Sequence, residues 1–170
     1  DEIAYNNHDI DDGLRSGLID LGQLVEVPLF RQHFDEAGAL YPGAGERRRI
    51  NETIRRMINF LVRDLVGETR RNIAQHLPPN VEAVRRAPPL VAHSQGVREE
   101  CLDLKRFLRD NLYQHYQVQR MSTKGRRIVT ELFAAFMGDP RLLPPQYQAK
   151  ADLDRARAVA DYISGMTDRY

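Results

Sequence analysis

The sequence predicts an all-α fold, a globular array of several helices. Three observations lead there. Apolar residues recur at helical spacing in five or six stretches. No stretch sustains the period-2 alternation of a strand, and no Asn-Gly or Asp-Gly hairpin joins two alternating runs. Long helical patterns are joined by short proline-rich segments, which fits a globular array better than a regular four-helix bundle.

In chain order, the first helix is expected from Asp1 to Leu21, with Gly13 and Gly17 as close-packing points. Pro28 interrupts, and a short helix is expected from Leu29 to Ala37. Tyr41-Pro42-Gly43-Ala44-Gly45 reads as a loop. The second long helix is expected from Glu46 to His76, because Ile50, Ile54, Met57, Ile58, Leu61 and Leu65 share one face. Pro78-Pro79 ends it, since proline removes a donor and disfavours helix at the residue before it. Residues 80–96 read as a connecting loop with one helical turn. Ser94 is placed to cap the next helix, whose buried stripe is Leu104, Phe107, Leu108 and Leu112. A bend is expected from Gln114 to Gln119. The next helix, Ser122 to Met137, is expected to bury Ile128, Val129, Leu132, Phe133 and Phe136, with Gly138-Asp139-Pro140 closing it. Leu142 to Pro145 reads as a loop, and a last helix is expected from Lys150 to Asp168.

At 170 residues the chain has the length of one helical domain, 1–170, with room for a real core. Hydrophobic residues at 42% and charged residues at 29% exclude a disordered chain. A net charge of +1 gives no global pull toward nucleic acid or a membrane. The single cysteine, Cys101, excludes an internal disulfide and a cysteine-based zinc site. No apolar run approaches the roughly 20 residues that span a bilayer, so the expected location is cytoplasmic and no membrane partner is expected. The first residue is not Met and already lies inside an amphipathic pattern, so the expectation is the C-terminal piece of a longer protein.

The chemistry concentrates in the opening stretch, Asp1 to Asp12. Read as a helix, it stacks Asp1, Tyr5 and Asp9 four residues apart on one face. Five acids and a histidine fall within these twelve residues, beside apolar Ile3, Ala4, Ile10, Leu14 and Leu18. Carboxylates on a buried helix need a metal, a partner or a polar ligand. The structural alternative is an acid-rich helix start that favours the positive end of the helix dipole.

This opening block, Asp-Glu-Ile-Ala-Tyr-Asn-Asn-His-Asp-Ile-Asp-Asp, closely resembles a stretch of the HD-superfamily deoxynucleoside triphosphate triphosphohydrolases, the bacterial dGTPase-like proteins. The closing block, Asp161 to Tyr170, is similar to that family's C-terminal signature, and Ile54-Arg55-Arg56-Met57-Ile58 is similar more weakly. The blocks stand in the family's order at opposite ends of the chain. The resemblance implies the C-terminal part of an HD-domain fold whose metal-binding histidine and His-Asp pair lie upstream.

By that resemblance, Asp1 is the fourth ligand of a divalent metal, with Tyr5 stacking on the deoxyribose and Asp9 accepting from its 3′-hydroxyl. No catalytic acid or base is expected within this stretch. A carboxylate suits Mg²⁺ or Mn²⁺ and is acceptable to zinc, iron or cobalt. Asp9 lies two turns on, roughly 12 Å along the axis, too far to share the ion with Asp1. His8-Asp9 spells the superfamily's dipeptide, but its place in the helix makes it a different pair, and His8 reads as a packing residue. The basic face of the second long helix offers Arg47, Arg48 and Arg55 to a triphosphate, because guanidinium forks match phosphate oxygens. The alternative is a solvated face paired with nearby acids. Arg85-Arg86 and Arg126-Arg127 read as surface. His33, His76, His93 and His115 have no metal-ligand spacing and read as structural or exposed; Cys101 reads as a small buried residue. Asp168-Arg169 reads as a salt bridge docking the last helix.

The expected function is hydrolysis of a deoxynucleoside triphosphate to deoxynucleoside and triphosphate by the whole protein, with this stretch inactive alone. The resemblance also implies the missing N-terminal half as a partner, a homo-oligomer, and dNTP or single-stranded DNA as effectors. The alternative is a non-catalytic helical module that binds a nucleotide or regulates a partner.

Overall fold

The computed structural model describes residues 1–167, and every regular element among them is helical. The chain gathers into two compact units, the first Asp1–His115 and the second beginning at Tyr116.

The first unit starts with α1, Glu2–Ser16. The helix stops earlier than the sequence suggests, because Gly17 takes a left-handed conformation with φ 70° and sends the chain back. Gly13 is a true point of close approach: a Cβ there would stand 2.5 Å from Ile19 Cδ1. Leu18 therefore lies beyond α1. Helix α2, Leu21–Leu24, is one turn capped by Asp20, whose carboxylate accepts from the Gln23 amide. Helix α3, Pro28–Leu40, begins with proline in its first turn, where the missing donor costs nothing; it starts one residue before the expected range and ends three residues past it.

Helix α4, Glu46–His76, has the bounds its periodicity predicts. Its stripe of Ile50, Ile54, Met57 and Leu61 is buried against Ile10 of α1 and Leu29 and Phe30 of α3. Arg49 fastens α3 to α4: its guanidinium lies 3.5 Å from the Phe34 ring centre and donates to the Phe34 carbonyl at 2.9 Å. Gly38 leaves the room this needs, since a Cβ there would stand 2.7 Å from the Arg49 guanidinium.

Helix α5, Val81–Arg86, is the single turn expected in the connection, capped by Asn80. Helix α6, Gln95–Leu108, buries Val97, Cys101, Leu104 and Leu108 in the same core. Ser94 stands at its N-terminus without capping it. Its hydroxyl donates instead to Asp64 of α4 at 2.6 Å, joined by its own amide at 3.1 Å and by His93 Nδ1 at 2.8 Å. A five-residue π-helical turn, Arg109–Tyr113, continues α6. The expected bend shrinks to residues 114–115.

In the second unit, α7 runs Tyr116–Gly138 and starts six residues before its expected bound. Here the structure corrects the sequence. Of the five residues expected to be buried, Phe136 is, Leu132 is partly so, and Ile128, Val129 and Phe133 are exposed. Pro140–Leu142 forms a 3₁₀ turn, α8 spans Pro145–Ala151 and α9 spans Arg155–Ser164. The single last helix expected from the sequence is thus two. Asp154 breaks it: its carboxylate accepts from the Arg157 amide at 3.1 Å, so the chain begins a new helix there. Phe136, Leu143, Ala158 and Val159 form the core, with Tyr147 and Tyr162 packed on it. Among the described residues no helix is long and apolar enough to cross a membrane. Asp168-Arg169 lies outside the described residues.

Candidate functional site

Helix α1 is amphipathic in an unusual way. Its inner face buries Asn6, Asn7, Ile10 and Gly13, so two amides sit where the helical pattern leads one to expect apolar residues. Asn7 is fully buried and donates its side-chain amide to the Ile3 carbonyl at 2.7 Å. The acids mostly stay out of the core. Asp1, Glu2 and Asp12 are exposed, and Asp9 and Asp11 are half-buried.

Asp1 and Tyr5 lie on the solvent side of α1, with Tyr5 49% exposed. Asp1 stands at the N-cap position without a capping bond from its side chain. Its carboxylate is therefore accessible, and a hard oxygen donor of this kind fits a divalent ion such as Mg²⁺ or Mn²⁺. Among the described residues no three His, Cys, Asp or Glu side chains gather into a metal-binding group. Asp1 can offer one oxygen ligand to such an ion.

Asp9 has a partner that no local pattern announces. The Tyr113 hydroxyl, from the π-helical turn, donates to Asp9 Oδ2. Burial first, and then this bond and the Asp9 charge, push the Tyr113 phenol well above its usual range, with Tyr5 close enough to add to the effect. The phenol stays protonated and keeps its donor for the Asp9 carboxylate. His8 is exposed and the Asp9 carboxylate faces Tyr113, so His8-Asp9 does not act as a pair.

The three arginines separate. Arg47 reaches α1, its Nη2 standing 2.5 Å from Asp11 Oδ1, and it lines a cavity of about 380 Å³ with Arg15, Ile19, Asp20 and Ile50. Tyr5 and Asp9 are not in that lining. Arg48 lies 5.7 Å from the Tyr41 ring centre. Arg55 is held on its own helix by both oxygens of Glu52, at 2.6 and 2.9 Å, which lowers the carboxyl and raises the guanidinium. The structure thus brings Arg47 to α1 and leaves Arg55 with an exposed local pair. Arg85 pairs with Glu82 and Arg127 with Glu131, both exposed, as surface residues do.

Two further buried groups lie in the first unit. His33 is buried between Glu36, 3.3 Å from its Nδ1, and the Phe60 ring. Cys101 is buried, and desolvation pushes its thiol up to about 11, which makes it a poor nucleophile.

Comparison with known proteins bears on this geometry. Residues 91–170 match the phosphohydrolase-associated domain. Over all 170 residues the chain is 61% identical to a deoxyguanosinetriphosphate triphosphohydrolase-like protein of Ralstonia nicotianae. The chain is similar to such proteins along its whole length. Proteins of the same description from Bordetella pertussis and Thiobacillus denitrificans are 58% and 56% identical over the same span. The chain covers 44% of the first two relatives and 45% of the third, so it spans a little under half of their length. The description these relatives carry agrees with the resemblance of the opening and closing blocks. Tyr113, by contrast, has no link to Asp9 in the sequence spacing: it stands 104 positions away, and the fold joins the two.

Proposed function

We propose that this chain is the part of a metal-dependent deoxynucleoside triphosphate triphosphohydrolase that supplies one metal ligand and the sugar contacts. The observation that carries the reading is the end-to-end similarity to proteins described as deoxyguanosinetriphosphate triphosphohydrolase-like. The reaction adds water to a deoxynucleoside triphosphate and gives deoxynucleoside and inorganic triphosphate. Each α1 residue has a distinct task in it. Asp1 supplies an accessible oxygen to the ion. The exposed face of Tyr5 offers an apolar platform to deoxyribose, and Asp9 accepts a hydrogen bond from the 3′-hydroxyl. Arg47, Arg48 and Arg55 are the arginines we assign to phosphate oxygens, Arg47 once released from Asp11 and Arg55 once released from Glu52. A divalent ion, when bound, supplies Lewis-acid polarisation of a phosphoryl oxygen.

A second reading is a helical module that binds nucleotide without turnover. One substitution separates the two. In the whole protein, Asp1→Ala abolishes metal-dependent release of triphosphate under the first reading, by at least about 100-fold, the scale on which loss of a catalytic group is measured. Unchanged turnover in that variant, or robust triphosphate release by residues 1–170 alone with metal present, overturns it.

A further inference from the structure

The π-helical turn after α6 has a definite geometric consequence. The Gln114 amide donates to the Arg109 carbonyl, five residues back, at 3.0 Å, where an α-helix would bond four back. The extra residue widens the turn and rotates the chain beyond it, so Tyr113 takes a bearing that a continued α-helix would not give it. Asn111 supports the turn by giving its side-chain amide to the Phe107 carbonyl at 2.9 Å. Leu112, one residue earlier, is buried in the core that holds Ile10 of α1. Lys105 of α6 meets Glu2 of α1 at 2.7 Å, so α6 and α1 are tied at that point as well. Tyr113 is thus delivered to Asp9 from a well-anchored base.

We propose that Tyr113 is a positioning residue for Asp9, fixing the carboxylate so that its other oxygen receives the sugar hydroxyl. This rests on the reading of Asp9 as the group that meets the 3′-hydroxyl. A half-buried aspartate on a helix edge has two torsions to order before it can accept a hydrogen bond in one direction. Tyr113 takes Oδ2, and no other described residue donates to Asp9. Oδ1 keeps its acceptor capacity, and a hydroxyl donor suits it. Substrate then finds the acceptor already oriented, which improves binding of any nucleotide that carries the hydroxyl. A nucleotide without it gains nothing.

The test uses the whole protein and two substrates, a deoxynucleoside triphosphate and its 2′,3′-dideoxy analogue. Tyr113→Phe removes one oxygen and keeps the ring. It should raise KM for the deoxy substrate by about 10-fold, the scale of one charge-assisted hydrogen bond, and leave kcat within about 2-fold. KM for the dideoxy analogue should not move. An equal rise for both substrates, or no rise for either, overturns the proposal. Asp9→Asn tests the underlying reading separately. If Asp9→Asn leaves the deoxy-to-dideoxy KM ratio unchanged, Asp9 does not read the hydroxyl; if it collapses the ratio while Tyr113→Phe does not, the role of Tyr113 alone fails.

Discussion

Helices α4 and α7 carry apolar stripes of the same spacing and meet different surroundings. On α4, Ile50, Met57 and Leu61 are 5%, 0% and 2% exposed, because α1 and α3 lie across them. On α7, Ile128, Val129 and Phe133 are 41%, 52% and 37% exposed, and within its unit the helix packs through its C-terminal end, around Phe136. Periodicity states which residues share a face. It does not state whether another element covers that face. In sequence the two stripes look alike, and the structure separates them.

The sharpest way to break the comparison is to cut one residue from each stripe. Met57→Ala removes a fully buried side chain from the first core, and the expected loss is about 2–5 kcal/mol in urea unfolding. Ile128→Ala on α7 should change stability by less than about 0.5 kcal/mol. Equal losses at the two positions would mean that the α7 stripe is buried after all, and the contrast would fall.

A second difference is how each helix is held by polar contacts. Asp64, midway along α4, accepts three hydrogen bonds from His93 and Ser94 and pins the segment that leads into α6. Burial alone would raise its carboxyl; the bonds from Ser94 and His93 outweigh that and hold it below the usual range. A carboxylate lowered by folding adds stability that is present above its unfolded pKa and lost as pH falls through the folded one. Urea unfolding between neutral pH and about pH 3 should therefore show wild type losing more stability than Asp64→Asn on acidification. At neutral pH, Asp64→Asn should cost about 1–3 kcal/mol through the donors it leaves unsatisfied. On α7 the matching contact, Arg127 with Glu131 at 3.5 Å, is exposed and within one helix. Parallel pH curves for wild type and Asp64→Asn would refute the role of Asp64.

The features that the sequence shows plainly are local. The bounds of α4 come from its periodicity and from Pro78-Pro79, and the Tyr41–Gly45 loop comes from its turn residues. The all-α class rests on the same signals. The resemblance rests on two separated blocks, and the similar proteins carry a description that agrees with it. The errors lie where a distant contact or a single cap decides. Gly17 ends α1 early through a left-handed φ, and Asp154 divides the last helix by capping, where an unbroken helical pattern hides the boundary. Asp9 can be picked out from its spacing, but its partner Tyr113 cannot, since nothing in residues 109–113 announces a π turn aimed at α1. Arg47 and Arg55 look equivalent in sequence. They differ because Asp11 of α1 reaches one and Glu52 of α4 itself reaches the other.

Glycine gives the finest measure of the contrast between packed and open helix. In α1, Gly13 is packed so tightly that a methyl group would collide with Ile19, and no alanine fits without displacement. In α7, a Cβ built on Gly125 meets nothing within 4 Å, and its backbone is helical. Alanine there loses less conformational freedom on folding than glycine does and costs no packing. Gly125→Ala should therefore stabilise the chain by about 0.5–1 kcal/mol, visible as a small rise in the urea midpoint with an unchanged slope. A loss instead would show that some other group packs closely against α7 at this point. The exposed stripe beside it would then belong to a covered face, and α7 would join α4 as a buried helix.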